Sequence, residues 1–347
     1  MTAWIKIFVR LWWLNDIEIK YISDKKIIET DNAEINYDET TGNKIVNEFL
    51  FKETLGRGAY SKVKKCLNTK TNKEYAVKII NNYLLRKKKK AFDKTKEGSL
   101  LIHYMIEDAI NEIKTYKALP CDHPNIVSLY QIINDKEKDK TYLIMELAEK
   151  GPIVTLDEKT GVFTLNKNYD NDKYDEKLMK KWIKDIASGI KFLHDNNIAH
   201  CDIKSDNIVL DKDGRCKLGD FGNSLRINEG DNDNFLRTQG NIYFFAPELV
   251  DEKEKDKKSI DYRPVDIWTL GVSIYTCIYK SLPFVPEVRD NIVELFKNIN
   301  QADFDYNKNG INISDEMKKL LQHILEKDPE KRFTANDILN YPWLNEN

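Results

Sequence analysis

The sequence predicts an α+β protein of two unequal parts, a small β-rich lobe followed by a larger, mainly α-helical one. Three observations predict it. Strand-like runs separated by turn residues fill the stretch from Phe49 to Ile80. From Glu176 onward the apolar residues recur every three or four positions, the helical period. With 347 residues, the chain also exceeds the size at which a single hydrophobic core keeps growing.

Taken in order, residues 15–46 are polar, acidic and without pattern, and read as a linker or mobile arm. Strands are expected at Phe49–Phe51, Lys62–Leu67 and Tyr75–Ile80. The turn-rich Asn68-Thr-Lys-Thr-Asn-Lys73 between the last two implies an antiparallel meander. A basic run, Arg86-Lys-Lys-Lys-Lys90, opens a polar insert that reads as a solvated loop and ends at a helix near Met105–Leu119. Strands at Ile126–Ile133 and Tyr142–Leu147 follow. Leu178, Trp182, Ile186, Ile190 and Leu193 then form one stripe of a long helix. Asp213-Gly214 between Ile208-Val-Leu210 and Cys216-Lys-Leu218 marks a short hairpin. Helical runs broken by prolines occupy the rest, among them Asp266–Tyr279, which is apolar on all sides and too short to span a bilayer. The divisions expected are an arm at 1–46, a first lobe at 47–148, a second at 149–344 and a tail at 345–347.

Composition excludes several classes. The 14 Phe, 6 Trp and 41% apolar content rule out fibrous or wholly disordered chains. A formal charge of −2 argues against bulk nucleic-acid binding, which needs many uncompensated cations. The five cysteines (Cys66, Cys121, Cys201, Cys216, Cys277) are odd in number and hold no C-x-x-C pair. That pattern suits a reducing, cytoplasmic setting, with the basic run as a candidate nuclear import signal. The start, Trp4 to Leu14, is apolar with Lys6 and Arg10 on one stripe. It is compatible with a membrane surface, but packing against the main body, or a segment outside the natural start of the protein, is the preferred reading.

The chemistry gathers in a few motifs. Gly56-Arg-Gly-Ala-Tyr-Ser-Lys-Val63 lies between two strands, where glycines let the backbone approach a polyphosphate closely. A plain hairpin turn is the competing reading. Lys78, in Tyr-Ala-Val-Lys-Ile, is one cation on an apolar strand; it could equally be an edge charge that discourages aggregation or an ammonium suited to phosphate oxygens, and the latter needs a carboxylate partner. Glu112, on the helix after the insert, is the natural candidate. In the second lobe His200-Cys-Asp-Ile-Lys-Ser-Asp-Asn207 offers Asp202 as a proton acceptor, Lys204 as a neutralising charge and Asn207 as an amide oxygen for Mg²⁺. Asp220, in Asp-Phe-Gly222, supplies a second oxygen of the kind a hard cation prefers.

With these motifs in this order, the chain resembles a eukaryotic protein kinase from about Asn47 to Leu344. The resemblance implies a bilobal kinase fold, ATP and Mg²⁺ as cofactors (with Mn²⁺ as an alternative ion), and a protein substrate. It implies that Leu55, Gly56, Gly58, Val63 and Ala76 line the nucleotide site, that Lys78 pairs with Glu112, and that Asp202 and Lys204 act in catalysis. Asn207 and Asp220 become metal ligands, Met145 the residue at the back of the adenine pocket, and Glu146–Ala148 the hinge. Glu248 of Ala246-Pro-Glu is expected to pair with Arg332, and Asp266 to anchor the catalytic loop. Lys204 within Asp-Ile-Lys-Ser-Asp-Asn is the serine/threonine form. Lys78 and Glu112 stand 34 residues apart. This long spacing, with the basic insert, Asp122-His-Pro-Asn-Ile-Val127 and Glu146-Leu-Ala-Glu-Lys-Gly-Pro152, looks like the calcium/calmodulin-dependent protein kinase kinases. That group's insert is proline-rich and this one has no proline. No basic amphipathic segment follows Leu344 to bind calmodulin, and a monomer is expected.

The chain departs from the family pattern at three places. Cys201 stands where an arginine usually precedes the catalytic aspartate, which suggests activity without a phosphate on the activation loop, for instance at Thr238; the thiol itself reads as inert and buried. Ser61 replaces a common third glycine. Asn241 replaces a threonine that contacts the catalytic aspartate, which bears on substrate preference. A nucleotide-binding pseudokinase scaffold and a small-molecule kinase of related fold are the competing functions. The complete motif set argues against the first, and the Ala-Pro-Glu segment with Asp266 and Arg332 against the second.

Overall fold

A computed structural model describes residues 27–58, 61–94, 100–157, 160–169, 174–227, 240–251, 260–288 and 290–346. The apolar–basic start at residues 4–14 and Thr238 lie outside the described residues.

The first lobe is built on one curled sheet. Its strands in chain order are β1 (Ile28–Thr30), β2 (Ile35–Tyr37), β3 (Lys44–Val46), β4 (Phe49–Arg57), β5 (Ser61–Asn68) and β6 (Glu74–Asn81). A short helix α1 (Asn82–Lys87), a hairpin β7 (Lys89–Lys94) and β8 (Leu100–Tyr104), and helix α2 (Ile106–Ala118) precede the last two strands. These are β9 (Leu129–Asp135) and β10 (Lys140–Met145). The spatial order is β1-β9-β10-β6-β5-β4-β3-β2. Since β1 and β2 occupy opposite edges yet only residues 31–34 join them, the sheet must curl until its edges nearly meet. Val46, Phe49, Phe51, Cys66, Val77, Ile133, Tyr142 and Ile144 fill the inside of this curl.

Three expectations are corrected here. The stretch 28–46, patternless in sequence, supplies three sheet strands. Each is only three residues long, and backbone pairing needs no side-chain period at that length. The basic insert forms a helical turn and a two-stranded ladder instead of a solvated loop, closed at its base by the Met105 amide donating to the Lys88 carbonyl at 3.0 Å. The strand expected from Ile126 starts at Leu129. Ile126 and Val127 are held to Leu218 of the other lobe instead, with the Val127 amide donating to the Leu218 carbonyl at 2.9 Å.

The second lobe begins with short ladders: β11 (Gly151–Pro152), and the pair β12 (Val154–Asp157) and β13 (Val162–Leu165). Helix α3 (Glu176–Asp195) follows, capped by the Asp175 carboxylate, which accepts from the Leu178 amide at 3.0 Å. Its expected stripe is the buried face, with Trp182, Ile186, Ile190 and Leu193 inside. Strand β14 (Ile198–Ala199), the hairpin β15 (Ile208–Leu210) and β16 (Cys216–Leu218), and β17 (Leu225–Arg226) lie against it. The hairpin turn needs its glycine: at Gly214 (φ +72°) a Cβ would sit 1.9 Å from the Tyr169 hydroxyl.

The remaining helices are α4 (Pro247–Val250), α5 (Tyr262–Tyr279), α6 (Ile292–Gln301), α7 (Asp315–Ile324), α8 (Ala335–Leu339) and α9 (Pro342–Asn345). Every residue of α5 from Val265 to Tyr279 is buried, so it forms the axis around which the lobe packs. One hydrophobic cluster runs from Ala76 and Tyr116 of the first lobe through Leu218 and Phe221 to Ile274 and Leu321 of the second. Among the described residues no helix is long and apolar enough to cross a membrane.

Candidate active site

The register of the curled sheet brings the first-lobe residues together. Gly56 faces Val63, Val63 faces Lys78, and Lys78 faces Leu143, one row across four strands. In the next row inward Ala76 opposes Met145, both at least nine-tenths buried, while Leu55 remains 49% exposed at the lip. Gly58 closes the turn through its amide, which donates to the Ser61 carbonyl at 2.9 Å. Met145 ends β10, and the chain passes into Glu146–Ala148, the bridge between the lobes. Here the Glu146 amide donates to the Ser128 carbonyl at 2.9 Å, and its carboxylate takes a 2.9 Å ion pair from Lys217, only 5% exposed.

Lys78 points into the cleft. Its ammonium is bonded by both oxygens of Glu112, at 2.8 and 2.7 Å, and by Asp220 at 2.9 Å. Burial alone would pull this ammonium down, but Glu112 and Asp220 override it and hold Lys78 above its ordinary value. Asp220 is in turn held below the usual carboxylate range by the Lys78 charge, against the opposing effect of burial. Both are therefore ionised at neutral pH.

In the second lobe a carboxylate fixes the loop backbone. Asp266, at the start of the buried part of α5, accepts the His200 and Cys201 amides, both at 2.8 Å, and faces His194 Nε2 at 2.9 Å. Directly after these two anchored amides the chain turns, with Cys201 at a left-handed φ of 63°, a conformation that costs energy for a residue with a Cβ. Asp202 then receives Lys204 Nζ at 2.8 Å and Asn207 Nδ2 at 3.1 Å on Oδ2, while Asn207 Nδ2 also donates to the Asp202 carbonyl at 2.8 Å. This leaves Asp202 Oδ1 facing Gly240. The two groups of residues join where the Gly219 amide donates to the Asn207 carbonyl at 3.1 Å and His200 Nε2 meets the Gly219 carbonyl at 3.0 Å. Asp220 follows at once, also left-handed at φ 62°.

Whether Mg²⁺ fits can be read from the donors. Among the described residues no group of three or more His, Cys, Asp or Glu could hold a metal ion by itself. Asn207 spends its nitrogen on Asp202, so its amide oxygen is the atom left to face a cation; Asp220, which follows the Gly219 amide bonded to the Asn207 carbonyl, brings an ionised carboxylate. Two protein oxygens with the rest from phosphate and water is the sparse shell Mg²⁺ takes in phosphoryl-transfer sites. The donor set fits.

Other expected contacts are present. Arg332 binds Glu248 in a fork at 2.7 and 2.9 Å. Burial pushes the Cys201 thiol well above its ordinary value, with Asp266 and Asp202 adding to the rise, so it stays protonated. The Asn241 side chain accepts from the Tyr243 amide at 3.1 Å and caps the turn Ile242–Phe244. Asn241 and Asp202 line one cavity, which Phe244, Phe245 and Leu249 bound on the apolar side.

Sequence reasoning missed the polar face of α2. Asn111 Nδ2 donates to the carbonyls of Gly222 and Ser224 at 3.1 and 2.7 Å, and Thr115 Oγ1 meets Ser224 Oγ at 2.7 Å. The signal was available: polar residues at 108, 111, 112 and 115 share one face of a helix that packs inward. Lys217, which fixes Glu146, carried no local signal.

Comparison with known proteins agrees with this geometry. A family model described as the protein kinase domain matches residues 49–344. The chain is 31% identical over 343 residues to the serine/threonine-protein kinase TOS3 of Saccharomyces cerevisiae, covering 93% of this chain and 57% of that protein. It is 29% identical over 318 residues to the serine/threonine-protein kinase GRIK1 of Arabidopsis thaliana, covering 91% and 71%. A probable serine/threonine-protein kinase of Dictyostelium discoideum is 29% identical over 303 residues, covering 87% and 39%. The chain thus spans between about two-fifths and seven-tenths of the length of these curated relatives. It belongs to the protein kinase domain family.

Proposed function

We propose that this chain is a serine/threonine protein kinase that transfers the γ-phosphoryl group of Mg·ATP to protein hydroxyls. The observation that carries the reading is the double constellation in one cleft: Lys78 bound to Glu112 and Asp220, and Asp202 bound to Lys204 and Asn207. Bound Mg·ATP supplies the transferable group and the cation that neutralises its charge. Lys78 would hold phosphate oxygens, Asp220 and Asn207 the cation, and Ala76 and Met145 the adenine side of the pocket. Asp202 orients the acceptor hydroxyl and takes its proton at Oδ1, the oxygen that Lys204 and Asn207 leave unengaged. Lys204 stabilises the negative charge that gathers on the phosphoryl group. The relatives named serine/threonine-protein kinases and the lysine at 204 support the choice of acceptor.

The long Lys78–Glu112 separation and the folded insert support the calcium/calmodulin-dependent kinase kinase group as the nearest subgroup. We place the protein in the cytoplasm, a reading supported by five unpaired cysteines, and take it to be a monomer. Cys201 offers no cation to a phosphate on the activation segment, and we take the enzyme to be active without one. Transfer of labelled phosphate from ATP to a generic protein substrate tests the main reading, with Asp220→Asn as the control. The wild type transfers in the presence of Mg²⁺ and the variant loses at least about 100-fold. A wild type that binds nucleotide and transfers nothing would overturn the reading in favour of a scaffold.

A further inference from the structure

Helix α2 carries two carboxylates toward the same place. Asp108 and Glu112 lie at i and i+4, a like-charge spacing that destabilises a helix. Glu112 is matched by Lys78, but Lys78 also serves Asp220. One ammonium therefore answers for two acids, and Asp108 is a third within their field. Burial pushes the Asp108 carboxyl above its ordinary range, and Glu107 and Asp220 add to the rise. Asp108 also backs onto the segment after Asp220: a side chain built at Gly222 would meet Asp108 Cβ at 3.5 Å.

The missing charge comes from the insert. Lys90, on β7, ion-pairs with Asp108 and reaches Asn223 Oδ1 at 3.4 Å, with its side chain 17% exposed. The Lys88–Met105 backbone bond that closes the hairpin holds Lys90 directly over the start of α2. A cation on the insert thus touches both the helix that carries Glu112 and the residue after Gly222.

We propose that Lys90 is a positioning residue: by neutralising Asp108 it keeps α2 docked on the segment Asp220–Ser224, and so keeps Glu112 on Lys78. This rests on the kinase reading above and goes beyond it, because it assigns to the insert a task that a phosphate on the activation segment would otherwise perform. Without Lys90, Asp108 stands buried and unneutralised one turn from Glu112 and against the segment after Asp220, and the cheapest relief is for α2 to move outward, breaking the Glu112–Lys78 pair. A displacement of about 1 Å at such a pair is worth up to about 100-fold in rate.

The test uses the full chain after phosphatase treatment and two readouts. These are kcat/KM for ATP with a generic protein substrate, and the rise in melting temperature on adding Mg·ADP. Lys90→Ala is expected to lose about 10- to 100-fold in kcat/KM and to show a smaller Mg·ADP rise. Lys90→Arg, which keeps the charge, and the double variant Lys90→Ala with Asp108→Asn, which removes the acid Lys90 neutralises, are expected within about 3-fold of wild type. Lys90→Ala within about 3-fold of wild type, or a double variant as impaired as the single, overturns the proposal. Should Lys90→Ala fail to fold, Lys90→Gln takes its place. If the wild type transfers no phosphate, the kinase reading fails by itself. The Mg·ADP series then still decides, since equal rises for wild type and Lys90→Ala would overturn the role of Lys90.

Discussion

Replacing Arg332 by alanine removes one guanidinium from a site with no route to water. The Arg332 side chain is 0% exposed and that of its partner Glu248 6%. The guanidinium holds both Glu248 oxygens, at 2.7 and 2.9 Å, and three carbonyls: Glu326 at 2.7 Å, Pro264 at 2.8 Å and Lys327 at 3.2 Å. It also lies 5.1 Å from the centre of the Trp268 ring. Truncation strands a buried carboxylate and leaves the carbonyls with weaker partners. Breaking a buried pair from one side costs about 3–5 kcal/mol. For a domain of about 300 residues the unfolding entropy is about 0.6 kcal/mol per degree, so the melting temperature should fall by about 5–8 °C. Urea unfolding followed by tryptophan fluorescence reads the same loss as a lower midpoint. The double variant Arg332→Met with Glu248→Leu removes both charges and should cost less than Arg332→Ala alone, because nothing charged is left behind. A loss under about 1 kcal/mol for Arg332→Ala, or a double variant as costly as the summed singles, would refute the assignment of this pair as a buried strut.

Two further outcomes are expected. Lys44 donates to the Tyr142 hydroxyl at 2.7 Å, and burial, helped by Lys140 and Lys138, lowers its ammonium to about 8. Its folded-state value lies below its unfolded one, so the unfolded chain binds more protons between about pH 8 and 10.5 and stability rises across that window. Lys44 is only partly buried and so is screened by solvent, which reduces the gain to about 1 kcal/mol. Lys44→Met should flatten the rise in urea midpoint over that range, and an unchanged slope would contradict it. Asp266→Asn keeps the shape of the loop anchor but removes the charge that holds the His200 and Cys201 amides. A loss of about 2 kcal/mol in stability, with kcat falling more than KM rises, is expected from denaturation and steady-state kinetics; unchanged kcat would sever the link between this anchor and Asp202.

The lobes and their order were legible in the sequence because the strand period of 49–80 and the helical period of α3 express burial on one face. The site was legible because its chemistry is written in short segments. Asp202, Lys204 and Asn207 lie within one loop, and the Oδ2 cluster they form needs no distant residue beyond Asp266. Lys78 and Glu112 are far apart in sequence, yet an apolar strand carrying one cation announces that a partner exists. Residues 28–46 were not legible: the strand at 28–30 is held by backbone bonds to a strand far along the chain, those at 35–37 and 44–46 pair with near neighbours, and at three residues each such bonds leave no side-chain pattern. The basic insert misled for a related reason. A run of lysines has the composition of a solvated loop, and its ladder becomes visible only when both strands are in place.

The sequence by itself determined which candidate groups are present, because a phosphate cradle, a cation, a base and two oxygen donors each require particular residue types at short spacing. Only the tertiary structure decided which of these groups face one another and what holds them there: the row Gly56–Val63–Lys78, the Asp266 anchor, the Lys217–Glu146 bridge and Lys90 over Asp108. These are charge and hydrogen-bond pairings between distant segments. Their partners are set by packing geometry, so no stretch of sequence contains them.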